Sequence, residues 1–226
     1  MDLVCVLDTE TTGLDPAQGA KCIEVGCIVY SIRYASIVEM FSGLILCKTN
    51  EAERVNRIPV GMLAAHGMEA DYVWGEVGTR AGNCEAALAH NADFDHQWVP
   101  DTFPTKVPWI DTCRGVTWPM ESRPGSNLVS LCLDHGIGVI DPHRAISDCL
   151  MLCRLMARVA EQGHDVSTIL ARGLRPTAIF EAKVAYEDRG VAKEAGFNWE
   201  KDKKRWTRKM AIEDASSLNF RVVRLP

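Results

Sequence analysis

The chain opens on a short apolar run, residues 3–7, that breaks off at Asp8 and Glu10 and then at Thr11-Thr12-Gly13. A brief run rich in Val and Leu and closed by turn residues predicts a strand buried on both faces. Residues two apart on a strand point the same way, so Asp8 and Glu10 present their carboxylates side by side. After a polar turn at 15–19, two runs at 22–32 and 37–46 are rich in Val, Ile and aromatics and lie four residues apart. That spacing predicts a β-hairpin and, with the first strand, an antiparallel meander.

Residues 59–66 predict a short helix with Pro59 near its first turn, ended by Gly67. Residues 70–83 hold Gly75, Gly78 and Gly82 without a clear period, and no element is assigned to them. Residues 84–90 and 107–110 predict a fourth and a fifth strand, the latter closing at Asp111, with a short crossover helix around 94–99 between them. Ser126 is the expected cap of a helix that turns Leu128, Leu131 and Cys132 inward and stops at Gly136. A longer helix over 144–162, with Gly163 behind it, completes an α/β pattern: a mixed five-stranded sheet covered by helices.

Composition adds bounds to this picture. At 226 residues the chain can bury one sizeable core with room for a small appendage, and 47% apolar content is ordinary for a globular protein. No apolar stretch is long enough to span a bilayer, and the opening run is too short for a secretory signal, so a cytoplasmic location is expected. The nine cysteines include no Cys-x-x-Cys pair and lie mostly among apolar neighbours, which predicts buried thiols rather than a disulfide framework or a zinc ribbon. Charge is uneven. Residues 172–226 hold 13 of the 25 basic and 8 of the 30 acidic residues, so this tail carries +5 and residues 1–171 carry −10. An acidic body with a basic tail points to a polyanionic partner for the tail.

Candidate chemistry begins with the two strand acids. Adjacent like charges repel, and a divalent cation relieves them; a solvated strand end followed by a plain turn is the alternative. Asp148 shares a helical row with Leu152, Leu155 and Val159, which aims its carboxylate along a buried stripe. A helix-start Asp favoured by the macrodipole is the alternative, and from that position alone the commoner one. His143 follows Pro142 on a loop entering the same helix, where it can reach over a site mouth or stand idle in solvent.

Taken together, Asp8-x-Glu10-Thr-Thr-Gly-Leu, His90-Asn-Ala-Asp-Phe-Asp95 and His143-Arg-Ala-x-x-Asp148 resemble the three motifs of the DEDDh family of 3′-to-5′ exonucleases. Arg57-Ile58-Pro59, Ala65-His66-Gly67 and Trp109-Ile110-Asp111-Thr112 extend the resemblance over about residues 1–165, toward its exonuclease X branch. Gly-rich residues 75–82 depart from the clearer helical pattern usual there. The resemblance implies a ribonuclease H-like fold and hydrolysis of DNA to nucleoside 5′-monophosphates. Hard carboxylate oxygens suit Mg²⁺ or Mn²⁺, and two such cations about 3.5–4 Å apart support both attack and departure in phosphodiester hydrolysis. By resemblance, Asp8 bridges both cations, Glu10 and Asp148 complete the site of the attacking water, and Asp95 serves the second cation. His143, of the residue type that titrates near neutrality, takes the proton from that water. Thr11, Thr12 and Leu14 are expected to hold the terminal nucleotide, with Ala65 and His66 near its 3′ end. Phe94 is expected in the core and Asn91 as a hydrogen-bonding support. An RNA exonuclease of the same fold, and a nucleic-acid-binding subunit with an idle site, are the alternatives.

The domain reading is an exonuclease domain over 1–171, a linker at 172–176 and a small basic Trp-containing module over 177–226, which resembles an accessory module attached to varied proteins. Within that module Lys203, Lys204, Arg205 and Trp206 are candidate nucleic-acid contacts, since aromatics can stack on bases while cations meet phosphates. The same tryptophans can instead form the core of so small a fold.

Overall fold

In the computed structural model, which describes residues 1–104, 106–122 and 125–225, the first strand lies at the centre of the larger of two sheets. In chain order the elements of the first part are β1 (Leu3–Thr11), β2 (Cys22–Ser31), β3 (Ser36–Leu44), α1 (Glu53–Asn56), α2 (Val60–His66), α3 (Ala70–Ala81), β4 (Ala86–Ala89), α4 (Ala92–His96), β5 (Trp109–Asp111), α5 (Leu128–Asp134), α6 (Ala145–Glu161) and α7 (Val166–Arg172). The sheet order is β3-β2-β1-β4-β5. β1 pairs antiparallel with β2 and parallel with β4, so the sheet is mixed, and β1 runs on through both acids.

Alternation along β1 explains its unbroken apolar run. Val4 and Val6 face one side of the sheet, where they meet Leu152, Leu155 and Met156 of α6 together with Leu131 of α5. Cys5 and Leu7 face the other side and meet Val73, Trp74 and Val77 of α3. Both layers are closed, so a strand with no polar face is the expected solution. Two glycines let helices approach closely. A Cβ on Gly43 would lie 3.0 Å from Val73, and one on Gly26 would lie 2.5–2.7 Å from the backbone of Ala145 and Ile146 at the start of α6.

Three expectations change. Residues 70–81 form a helix despite their glycines, because Val73, Trp74, Val77 and Ala81 supply a buried stripe at helical spacing. The cap of α5 is Asn127 rather than Ser126. Its side chain accepts from Ser130 N at 2.9 Å, and the capping side chain belongs immediately before the first helical residue. Phe94 is only half-buried and lines a cavity instead of entering the core. Among the described residues no cysteine forms a disulfide, and seven of the nine are buried. Among the described residues no helix is long and apolar enough to cross a membrane.

Beyond α7 the chain enters β6 (Thr177–Ala182), followed by α8 (Arg189–Glu194), β7 (Asn198–Glu200), β8 (Arg205–Ala211) and β9 (Val222–Arg224). These strands form a second, antiparallel sheet of order β7-β8-β6-β9. Its core is Phe180, Ala182, Ala192, Phe197 and Met210, with Trp206 and Phe220 partly buried against it.

Candidate active site

Four acids converge where β1, α4 and α6 meet. Asp8, Glu10 and Asp148 each place a carboxylate oxygen within 4.8 Å of the others. Asp8 lies opposite Gly26 in the β1–β2 register, and Gly26 is where the start of α6 rests on the sheet. Asp148, one turn into α6, is thereby brought against Asp8. Asp95 arrives from α4 and is almost wholly buried. Its Oδ1 accepts from the backbone N of Thr9 at 3.0 Å and from the Thr9 hydroxyl at 2.8 Å. Thr9 points away from Asp8 and Glu10 along β1, so one strand both supplies two acids and anchors a third.

His143 is exposed on the loop before α6, in the left-handed region at φ 65°, and its backbone N donates to Asp148 Oδ1 at 3.3 Å. Arg57 ties that loop down by donating to the carbonyl of Pro142 and pairing with Asp141 at 3.7 Å. On the opposite wall, Asn56 is buried and donates to the Thr11 carbonyl at 3.1 Å, which docks α1 onto the turn after β1. The side chain of Thr11 donates to Gly13 O at 2.6 Å, and that of Thr12 accepts from Lys21 N at 3.0 Å. Both hydroxyls shape the turn. Leu14, 81% exposed, and Val55, 57% exposed, stand bare at the rim.

Asp8, Glu10, Thr11, Thr12, Leu14, Asp95, His143 and Asp148 all line one cavity of about 490 Å³. A second, of about 610 Å³, shares Asp8, His90, His143 and Asp148 and continues past Asn127 and Val129. The acids thus sit at the junction of two openings. Ala65 and His66 are exposed on α2 and line neither cavity. In the second sheet, Lys203 and Arg205 pair with Glu200 at 3.5 and 3.1 Å, Lys204 is exposed, and Trp206 lies 5.5 Å from its cross-strand partner Trp199.

The electrostatics are those of an uncompensated acidic cluster. Burial, followed by repulsion from Asp95, Asp148 and Glu10, lifts the Asp8 carboxyl well above the usual range. Burial chiefly, with Asp148 next, pushes Glu10 up to about 8. Burial raises Asp95 to about 7 against the lowering pull of its Thr9 hydrogen bonds, and it raises Asp148 to about 6. Burial likewise lowers the His90 imidazole, whose ring contacts Thr112 Oγ1 at 3.3 Å and the Ser126 carbonyl at 2.9 Å. Hard oxygen donors from three elements, destabilised by one another and open to solvent on two sides, fit divalent cations of the Mg²⁺ or Mn²⁺ type.

Sequence reading misses Asn56, Val55, Thr9 and also Glu24 of β2, whose carboxylate accepts from the Arg144 guanidinium beside the site. Glu24 had a usable signal, a lone charge within the apolar run of β2. Thr9 and Asn56 had none, since their roles depend on contacts 86 and 45 residues away.

The chain is similar to several solved structures. Exonuclease I matches with a TM-score of 0.61 at 15% identity, over 80% of this chain and 48% of that one, so the chain spans about half the length of exonuclease I. Exonuclease X in complex with 5′-overhanging duplex DNA matches with a TM-score of 0.55 at 22% identity, over 75% and 99% of the two chains. A full-length 3′-exonuclease matches with a TM-score of 0.57 at 16% identity, over 73% and 84%. No curated protein sequence matches. Residues 178–225 match a family described only as a domain of unknown function. The Exonuclease family model matches residues 5–156, two-thirds of the sequence and the whole of the acidic site. The chain therefore belongs to the Exonuclease family, in its DEDDh type, with a ribonuclease H-like fold.

Proposed function

We propose that the protein is a metal-dependent 3′-to-5′ exonuclease that hydrolyses DNA to nucleoside 5′-monophosphates. The observation that carries this reading is the trio Asp8, Glu10 and Asp148, with carboxylate oxygens within 4.8 Å, at the junction of two cavities that His143 also lines. Asp8, Glu10, Asp95 and Asp148 would hold two cations, Mg²⁺ or Mn²⁺. When bound, such a pair polarises the phosphoryl group, lowers the pKa of water and stabilises the departing 3′ oxygen.

The chain's own residues supply the rest. His143, exposed and lining both cavities beside Asp8 and Asp148, takes the proton from the attacking water. The new bond joins water oxygen to phosphorus, the bond to the 3′ oxygen breaks, and solvent protonates the alkoxide. Leu14 and Val55 offer apolar surface to the terminal base, while the turn at Thr11 and Thr12 confines its sugar. DNA is the favoured substrate because the neighbours of known complex are DNA-bound: exonuclease X with duplex DNA and E. coli exonuclease I with single-stranded DNA. Residues 1–171 form the nuclease domain in this reading. Residues 172–176 link it to a module, 177–226, that strengthens substrate binding through Lys203, Lys204, Arg205 and Trp206.

Matched DNA and RNA oligonucleotides, labelled at either end and incubated with Mg²⁺, Mn²⁺ or chelator, test the proposal. Mononucleotides should leave the 3′ end of DNA only with metal, and Asp8→Asn or Asp148→Asn should lower the rate by about 100- to 1,000-fold, the scale of removing transition-state charge stabilisation. Undiminished release by both variants would sink the proposal. Preference for RNA would overturn the substrate assignment alone.

A further inference from the structure

Glu24 is the fifth acid of this region and stands outside the trio whose carboxylate oxygens converge. It lies on β2 directly opposite Glu10 and is 1% exposed. Both its oxygens are taken. Oε1 accepts from Arg144 Nη2 at 2.7 Å, and Oε2 accepts from Arg144 Nε at 3.0 Å and from the backbone N of Ala145 at 3.0 Å. The same guanidinium lies close enough to Glu10 to pull that carboxyl's pKa downward, against the raising effects of burial and the neighbouring acids. Arg144 is thus a permanent cation standing between His143 and α6, at the edge of an acidic cluster whose charge is unbalanced.

A guanidinium free to move there would turn to the nearest unpaired carboxylates and act as an internal counter-ion. The planar fork of Arg matches one carboxylate in a fixed two-point geometry, and a buried partner holds it in place. We infer that Glu24 is a positioning residue that keeps the Arg144 guanidinium parked on β2, so that Asp8, Glu10 and Asp148 remain open to divalent cations. This inference rests on the metal-site reading above. The Glu24–Arg144 pair is neutral as a unit, so the acids keep their full attraction for a dication while the cation beside them stays engaged elsewhere.

Calorimetric titration of Mn²⁺ into the full-length protein, with circular dichroism to establish folding, tests this. Wild type should bind Mn²⁺; if it does not, the metal-site reading fails and Glu24 is not at issue. Given that binding, Glu24→Gln should weaken it by about 10- to 100-fold, the range for loss of an outer-shell partner. The double variant Glu24→Gln/Arg144→Gln, which removes the competing cation as well, should recover to within about threefold of wild type, well inside that range. A clamp that merely holds α6 predicts instead that the double variant is at least as weak as the single one, and that result overturns the inference. Unchanged binding by Glu24→Gln overturns it too. Should Glu24→Gln fail to fold, Arg144→Gln alone decides: binding as tight as wild type or tighter supports a parked competitor, and weaker binding refutes it.

Discussion

Asp8 carries a conflict between stability and use. Its carboxyl is buried among three others, so without a cation each ionisation in the cluster destabilises the folded chain. Removing one charge while keeping the shape should relieve that conflict. Asp8→Asn is expected to raise the thermal midpoint of the chelator-treated protein by about 2–4 °C, equivalent to roughly 1 kcal/mol for a chain of this size, while slowing nucleotide release by about 100- to 1,000-fold. Differential scanning calorimetry checks the first half and the oligonucleotide assay the second. The pH dependence has a definite sign. Glu10, Asp95 and Asp148 ionise at about 8, 7 and 6 in the folded state, above their values in the unfolded chain. The folded state therefore holds more protons between about pH 4 and 8, and metal-free stability falls as pH rises through that window. Saturating Mg²⁺ should flatten the slope. A midpoint in chelator that climbs from pH 5 to pH 8 would contradict the assignment. At this scale the motif residues Asp8, Glu10, Asp95, His143 and Asp148, far apart in the sequence, are gathered around one cavity. The sequence was silent for Thr9 and Asn56, whose partners are chosen by the fold.

At the scale of elements, periodicity placed the five strands and the long helix, and it failed where glycine obscured a helical stripe. The stripe of α3 was present in Val73, Trp74, Val77 and Ala81, but propensity spoke against it and packing won. Gly75 lies on that helix with open space where a Cβ would go. Gly75→Ala should therefore stabilise the protein by about 0.5–1 kcal/mol, read by urea denaturation, with nucleotide release unaltered. Gly26 is the opposite case. A methyl group there would stand 2.5–2.7 Å from the α6 backbone, so the helix must shift outward and carry Asp148 away from Asp8. Gly26→Ala should cost about 1–3 kcal/mol of stability, as overpacking does. Because misplacing a reacting group by 1 Å can cost about 100-fold, its rate should fall far more than its folded fraction at 25 °C. Nothing in the local pattern of β2 distinguishes Gly26 from a tolerated glycine; only the helix that lands on it does.

The whole molecule joins an acidic body to a basic tail, and the charge asymmetry legible in the sequence has a geometric counterpart. Lys209 of β8 reaches both oxygens of Asp93 at 2.6 and 2.7 Å, joining the second sheet to α4. In the tail itself, Lys203 and Arg205 share Glu200, which leaves Lys201 and Lys204 as the exposed cations of the β7–β8 turn without an ion pair among the described residues. Lys204→Glu is expected to raise KM for oligonucleotides severalfold with kcat unchanged, and to lower the salt slope of binding by about 0.7–0.9 for each phosphate it no longer neutralises. Steady-state rates at several salt concentrations measure both. An equal fall in kcat would move Lys204 from binding into the chemistry and count against a tethering role for the tail. Asp93 lies two residues before Asp95, on the opposite side of the same short helix, so the joint between the two sheets is also the back of a carboxylate mount. An exposed pair of this kind loosens as salt screens it. Rising ionic strength should therefore weaken this tie between the second sheet and the helix that carries Asp95, and dilute buffer should hold it tightest.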